Sequence, residues 1–324
     1  TAEIARLGGG AAALNAPPAT RLRIGSDGTL RTAGDILVTG DVPLRGRVGT
    51  LELVAGQPGS AGGSVRQSGG SVDVATVTGT AQGDFRLGLS GNAFDTATGI
   101  AAGTLPAAGA TGVVELATGG SLTATDITAP VSVRLSAGAA LSAGAVTAPA
   151  ILLQGGTVRL TDLIQGSDSV SIESMGSVTQ DAGALIVTGL FTLNGGSILL
   201  PEENEILELN GLVATGSVLA LKTVLPLLVS GAVTAVGSLS FITEQGLTVA
   251  EAGSIAVTGG PGTADLQAGG AIDYRGGLTT TGAASLTAGG LLSFSGIADI
   301  GGALTLGAGA GMTLGGSITA GGRI

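Results

Sequence analysis

Asp265-Leu266-Gln267-Ala268-Gly269-Gly270-Ala271-Ile272 returns one repeat later as Ser285-Leu286-Thr287-Ala288-Gly289-Gly290-Leu291-Leu292, and Thr305-Leu306-Gly307-Ala308 carries the pattern on. Four apolar columns run through the three copies: Leu266, Leu286, Leu306; Ala268, Ala288, Ala308; Ile272, Leu292, Met312; and Tyr274, Phe294, Leu314. Between them stand polar or small residues, Gln267, Thr287, Gly307 and Asp273, Ser293, Thr313. Apolar and polar positions alternate with a period of two, which marks short strands with one buried face. The columns are therefore expected to point inward and stack.

A second block lies upstream, with a slightly shorter period. Leu122, Leu141 and Leu160 follow it, as do Ile127 and Val146, and Thr128-Ala129-Pro130 returns as Thr147-Ala148-Pro149. Proline cannot donate to a strand ladder, so its recurrence at one angular position marks a turn. Val114-Glu115-Leu116 returns as Val133-Arg134-Leu135, with weaker echoes at Ile151-Leu152-Leu153 and Val170-Ser171-Ile172. In parallel register Glu115 and Arg134 share an outward face, and an exposed ion pair between them is expected, worth about 0.2 to 1 kcal/mol.

Short strands at this period, with Gly-Gly corners and no amphipathic helix between them, leave few architectures. The leucine-rich frame L-x-x-L-x-L-x-x-N is missing, and the calcium-binding nonapeptide is approached once, at Gly259 to Asp265, with its aspartate one position late. The reading is an all-β parallel β-helix solenoid, right-handed by the rule for parallel crossovers, with coils of about 19 to 20 residues. Composition agrees. Glycine fills 61 of 324 positions, about 19% against roughly 7% in average proteins, as corners require, and aromatic residues are only 2%, as a thin aliphatic interior requires. If every residue coiled, about 16 coils would make a rod of roughly 75 Å.

Along the chain, residues 1–21, with Gly8-Gly9-Gly10 and Pro17-Pro18, read as an irregular leader or linker. Residues 22–112 read as less regular β-helix with loop insertions, and residues 113–324 as regular repeats broken by bulges at Pro201 to Glu208 and Thr258 to Thr263. The first residues lack an initiator Met and the layout of a secretory signal, which suggests a processed protein or a piece of a longer one. Thr223 to Thr243 is uncharged throughout and long enough to cross a bilayer as a helix. Pro226, Gly231, Gly237 and several Ser and Thr residues argue for strands there and against a transmembrane helix. The repeat stops at Gly315 to Gly322 in mid-coil without charge, so the edge is expected to meet a further coil or another copy of the chain.

The side-chain inventory excludes much chemistry. There is no cysteine, histidine or tryptophan, which removes disulfides, thiolate and imidazole metal sites, and Ser-His-Asp or Cys-His catalysis. A net charge of −10 has the wrong sign for tracking phosphates, so no nucleic-acid partner is expected. Lys222-Thr223 follows Leu221, not a phosphate-cradling glycine, and no G-x-G-x-x-G occurs. Asp162 and Asp181, one repeat apart, could stack as a carboxylate pair of the kind that cleaves polysaccharide, but such sites also enlist basic and aromatic side chains to hold sugar, and neither Arg159 nor Phe191 is clearly placed for that. Two solvated aspartates on a turn is the favoured alternative. Pro201-Glu202-Glu203-Asn204-Glu205, with Glu208, is the densest acidic cluster; oxygen ligands suit Ca²⁺, but no D-x-D-x-D-G frame is present and a solvated loop is favoured. Thr279-Thr280-Thr281 invites an ice-binding reading, but its column, Thr279, Asp299, Thr319, is interrupted. No catalytic, cofactor-binding or metal-ligating residue is assigned.

The Leu116 to Gln154 repeats, the Gly-Gly-x-Leu/Ile corners at Gly119-Gly120-Ser121-Leu122, Gly195-Gly196-Ser197-Ile198 and Gly315-Gly316-Ser317-Ile318, and the absence of cysteine give a resemblance. The chain resembles the shaft of filamentous-haemagglutinin-type exoproteins, secreted β-helical adhesins of Gram-negative bacteria, over Val113 to Ile324. The family's Asn-Pro-Asn motifs are missing, and Asn15-Ala16-Pro17 is not one; the resemblance is to shaft, not secretion domain. It implies a non-enzymatic adhesive rod, extracellular or at the bacterial cell surface, meeting host or neighbouring-cell surfaces or extracellular matrix and associating end to end. A self-assembling filament or surface-layer subunit is the first alternative, and a polysaccharide-degrading β-helix the second.

Overall fold

A computed structural model describes residues 19–25, 34–56, 63–103 and 112–324. Of the expected leader, residues 1–18 lie outside the described residues, and residues 19–21 open the strand Ala19–Gly25. Among the described residues there is no helix; the chain is parallel β-solenoid, in about 12 turns. It divides into two compact units, residues 1–156 and 157–324.

In the first unit one core column shows how the coils are made. Ile36 pairs with Val65, and the column continues through Phe85, Val114, Val133 and Ile151, in steps of unequal length along the chain. All six side chains are buried. Strand positions stay aligned from coil to coil while corners take up the difference in length, so the interior keeps its register although the period does not. The register of the second repeat block is as expected: Leu122 faces Leu141, Ile127 faces Val146, and Glu115 faces Arg134.

In the second unit a single column holds Val170, Phe191, Leu209, Val229, Val249, Tyr274, Phe294 and Leu314. Tyr274 and Phe294 stack, with ring centroids 5.2 Å apart and planes 18° from parallel. Parallel in-register strands hold adjacent rings near the coil spacing, the geometry an offset aromatic stack favours. The Tyr274 hydroxyl donates to the Gly277 carbonyl at 2.7 Å, and burial holds the phenol protonated, well above its usual range. Tyr274→Phe is expected to keep the stack and lower stability by about 1 kcal/mol, the worth of one hydrogen bond, read from the urea midpoint.

The expected C-terminal columns stand in register, with one correction in burial. Leu266, Leu286, Tyr274 and Phe294 are buried, but Leu306 is half-buried and Leu314 is 50% exposed. Both belong to the final stacked coil, which is covered on one side only. The expected count of about 16 coils is also too high, because corner insertions lengthen several coils well beyond the regular repeat.

Both expected bulges appear as register shifts, at Leu200/Asn204 and at Val236/Ser238, the second opposite Thr258 to Thr263. The uncharged stretch ending at Thr243 is strand, Leu227–Thr243, and no helix among the described residues is long and apolar enough to cross a membrane. Glycine at the corners serves close approach as well as turning. A Cβ on Gly296 would lie 2.0 Å from the Gly276 carbonyl oxygen, and one on Gly316 would lie 2.0 Å from that of Gly296, so the coils touch backbone to backbone there.

Candidate functional site

Asp162 and Asp181 do not face each other in the ladder. Leu160 faces Gln180 and Ile164 faces Leu185, so Asp162 lies against Gly183, whose Cβ would meet its backbone. Asp181 is held by the Arg159 guanidinium, and Asp162 accepts from the Leu163 N–H at 2.7 Å. Phe191 is fully buried in the core column and does not reach this surface. No face presents these groups together toward a substrate.

Nor is the acidic segment an open loop. It forms part of the strand Ile198–Ala214. Lys222 sits between Glu203 at 3.5 Å and Glu244 at 3.3 Å, and both raise its ammonium above the usual range, the hydrogen bond to Glu244 foremost. Glu208 accepts from Ser230 at 2.5 Å. Among the described residues no three acidic side chains gather as a metal-binding group.

The Glu115 and Arg134 alignment is correct but the ion pair is not. Arg86, on the other side of Glu115 in the same column, takes the carboxylate at 3.5 Å, and Arg134 turns to Gln154 at 3.1 Å. An outward side chain has two neighbours along the column, and Glu115 reaches the earlier one. The Thr279, Asp299, Thr319 column is in register as read, with a carboxylate in its middle.

One surface cluster is organised by a single cation. Arg45 donates to Asp73 at 2.6 Å and to Asp95 at 2.7 Å, and also to the Ala93 carbonyl. The guanidinium's hydrogen bond holds the Asp95 carboxyl below the usual carboxylate range. A depressed folded-state value stabilises the fold above the unfolded value of about 3.9, and that contribution is lost as pH falls through the folded value. Arg45→Met is therefore expected to flatten the fall in urea midpoint from about pH 5 to about pH 3. The effect is small because Asp95 is largely exposed.

A polar corner, found in each unit among the described residues, is legible only in the structure. In the first unit the Asn92 amide exchanges hydrogen bonds with Gln67 (2.8 and 2.9 Å), accepts from the Val72 N–H and donates to the Leu87 and Ala117 carbonyls. In the second, Asn204 exchanges hydrogen bonds with Gln180 (2.8 and 3.1 Å), accepts from the Leu185 N–H and donates to backbone carbonyls that include Glu202 and Lys222. Each glutamine also donates to a nearby glycine carbonyl, Gly70 or Gly183. In the next coil a threonine, Thr118 or Thr223, donates to the asparagine carbonyl at 2.9 Å. A Gln, Asn and Thr on successive coils thus satisfy the backbone where a strand bends away from the ladder. The only sequence signal is the recurrence of Gln67, Asn92, Thr118 and Gln180, Asn204, Thr223 at comparable corners.

These corners are inward and hydrogen-bonded, and they brace the solenoid. What the outer faces offer is repetition: columns of side chains at coil spacing. No family model, curated protein or solved structure matches the chain.

Proposed function

We propose that the chain is a non-enzymatic structural rod with an adhesive role, the shaft of a large secreted or cell-surface fibre. The observation that carries this reading is the continuous parallel ladder inside each unit, with one column of the second unit running from Val170 to Leu314 through every coil between them. Such a ladder places backbone hydrogen bonds along the stacking axis, so reach scales with coil number and stiffness comes from every coil. The engagement of Asp181 by Arg159 and the burial of Phe191 speak against the polysaccharide-cleaving alternative. The likeness to filamentous-haemagglutinin shafts supports an extracellular or bacterial cell-surface location. Its partners in this reading are host or neighbouring-cell surfaces or extracellular matrix, with end-to-end self-association as a second mode of contact.

Cell-binding and matrix-binding assays with the purified chain test the adhesive role, and electron microscopy tests for stiff rods. Saturable binding and stiff particles are expected. Turnover of an acidic glycan, or particles without elongation, would overturn the reading.

A further inference from the structure

We propose that one outer face of the first unit binds ice through a two-column threonine array. Three successive coils carry Thr-x-Thr: Thr76-Val77-Thr78, Thr96-Ala97-Thr98 and Thr123-Ala124-Thr125. The middle residues Val77, Ala97 and Ala124 are all fully buried, so the threonines on either side project from the opposite face of the same strands. Register sets them in columns. Thr76 faces Thr96 and Thr96 faces Thr123, while Thr98 faces Thr125. Thr78 lies within the register shift between Val77 and Gly79, so the second column is in strict register at Thr98 and Thr125. The first column runs on to Thr50 on one side and to Ser142 on the other.

The spacing of such an array is dictated by the fold. Hydroxyl-bearing positions repeat about every 4.8 Å between coils and about every 6.6 Å along a strand, two residues at about 3.3 Å each. This is a rectangular grid of the kind that water oxygens form on planes of crystalline ice. Threonine suits it physically, because its β-branch restricts χ1 and orders hydroxyl and methyl before any contact is made. A rigid grid loses little side-chain entropy on binding.

The use of hydroxyls elsewhere in the molecule supplies a second, independent observation. Corner threonines are bonded internally: Thr118, Thr223, Thr243 and Thr280 all donate to backbone carbonyls. None of the six array threonines has a side-chain hydrogen-bond partner among the described residues. Of the six, Thr123 is exposed and the other five are half-buried. None of the six positions is charged, and the nearest carboxylate beside Thr96, that of Asp95, is engaged by Arg45. The column at Thr279, Asp299 and Thr319 lacks this property, since a carboxylate and its hydration shell interrupt it. A neutral hydroxyl grid favours a lattice of water over an ionic ligand. The inference needs only the folded first unit and does not rest on the adhesive reading.

The test is thermal hysteresis and the shaping of a single ice crystal by the 324-residue chain. A freezing gap with faceted growth is expected. Thr96→Tyr, in the central coil, should abolish both while leaving the circular dichroism spectrum and melting temperature unchanged. Thr279→Tyr, on the interrupted column, should leave both intact. Thr123→Lys gives the same reading as Thr96→Tyr if the tyrosine variant does not fold. Absence of hysteresis in the unsubstituted chain would overturn the proposal. So would equal loss in the Thr96 and Thr279 variants, or retention in both Thr96→Tyr and Thr123→Lys.

Discussion

Asn204→Leu is expected to destabilise the second unit by about 3 to 5 kcal/mol, several hydrogen-bonding groups being left unpaired at about 1 to 3 kcal/mol each. The side chain is fully buried, and its loss removes the partner of the Leu185 N–H, an Asn204 donor from the Glu202 and Lys222 carbonyls, and the partner of the Gln180 amide oxygen, while the Gln180 NH2 keeps only the Gly183 carbonyl. Leucine is apolar and of comparable length, so the change weighs polar satisfaction more than packing. Water has little access to a corner enclosed by neighbouring coils, and the penalty is therefore not relieved by solvation. Urea denaturation reads the effect. The double variant Asn204→Leu, Gln180→Leu should recover part of the loss, because no buried Gln180 amide is then left without its partner. A change below about 1 kcal/mol, the worth of a single replaceable bond, would show that the corner is wetter or looser than its geometry.

This corner also shows where the sequence stops being informative. Asn204 stands between Glu202, Glu203 and Glu205, and charge density alone reads the segment as solvated. That the asparagine turns inward depends on the register shift between Leu200 and Asn204, set by the neighbouring coil. The columns at Leu266, Leu286 and Tyr274, Phe294 are legible because their coils keep a constant length, so sequence spacing equals spatial neighbourhood. In the first unit that equality fails. Long and short steps alternate down the column from Ile36 to Val114, and the three Thr-x-Thr motifs are unevenly spaced along the chain, with no period to announce their alignment. The Glu115 ion pair fails for the same reason. Arg134 stands one regular repeat away and is visible in the sequence, whereas Arg86 lies across an insertion and comes into the column only on folding.

Gly231→Ala should destabilise by about 3 kcal/mol, the upper part of the range for forced overpacking, although alanine is ordinarily the gentlest replacement for glycine. Leu209 faces Val229 and Gly211 faces Ala232, so Ser230 and Gly231 together oppose Asn210 alone, and the extra residue is pressed onto the neighbouring coil. A Cβ at Gly231 would fall 1.6 Å from the Asn210 carbonyl oxygen and 2.5 Å from its carbonyl carbon. Backbone cannot swing aside as a side chain can. Relief would require the two coils to part locally, weakening the Glu208 and Leu228 end of the ladder as well as the bulge. Gly211→Ala is the matched control one coil earlier: its Cβ would meet nothing nearer than the Thr192 methyl at 4.0 Å. The two alanine variants have the same composition, so any difference in chain entropy largely cancels. A urea midpoint well below the parent for Gly231→Ala and close to it for Gly211→Ala is expected. Equal midpoints would mean that the coils are not in backbone contact at this corner, and that glycine there serves turn formation instead of close approach.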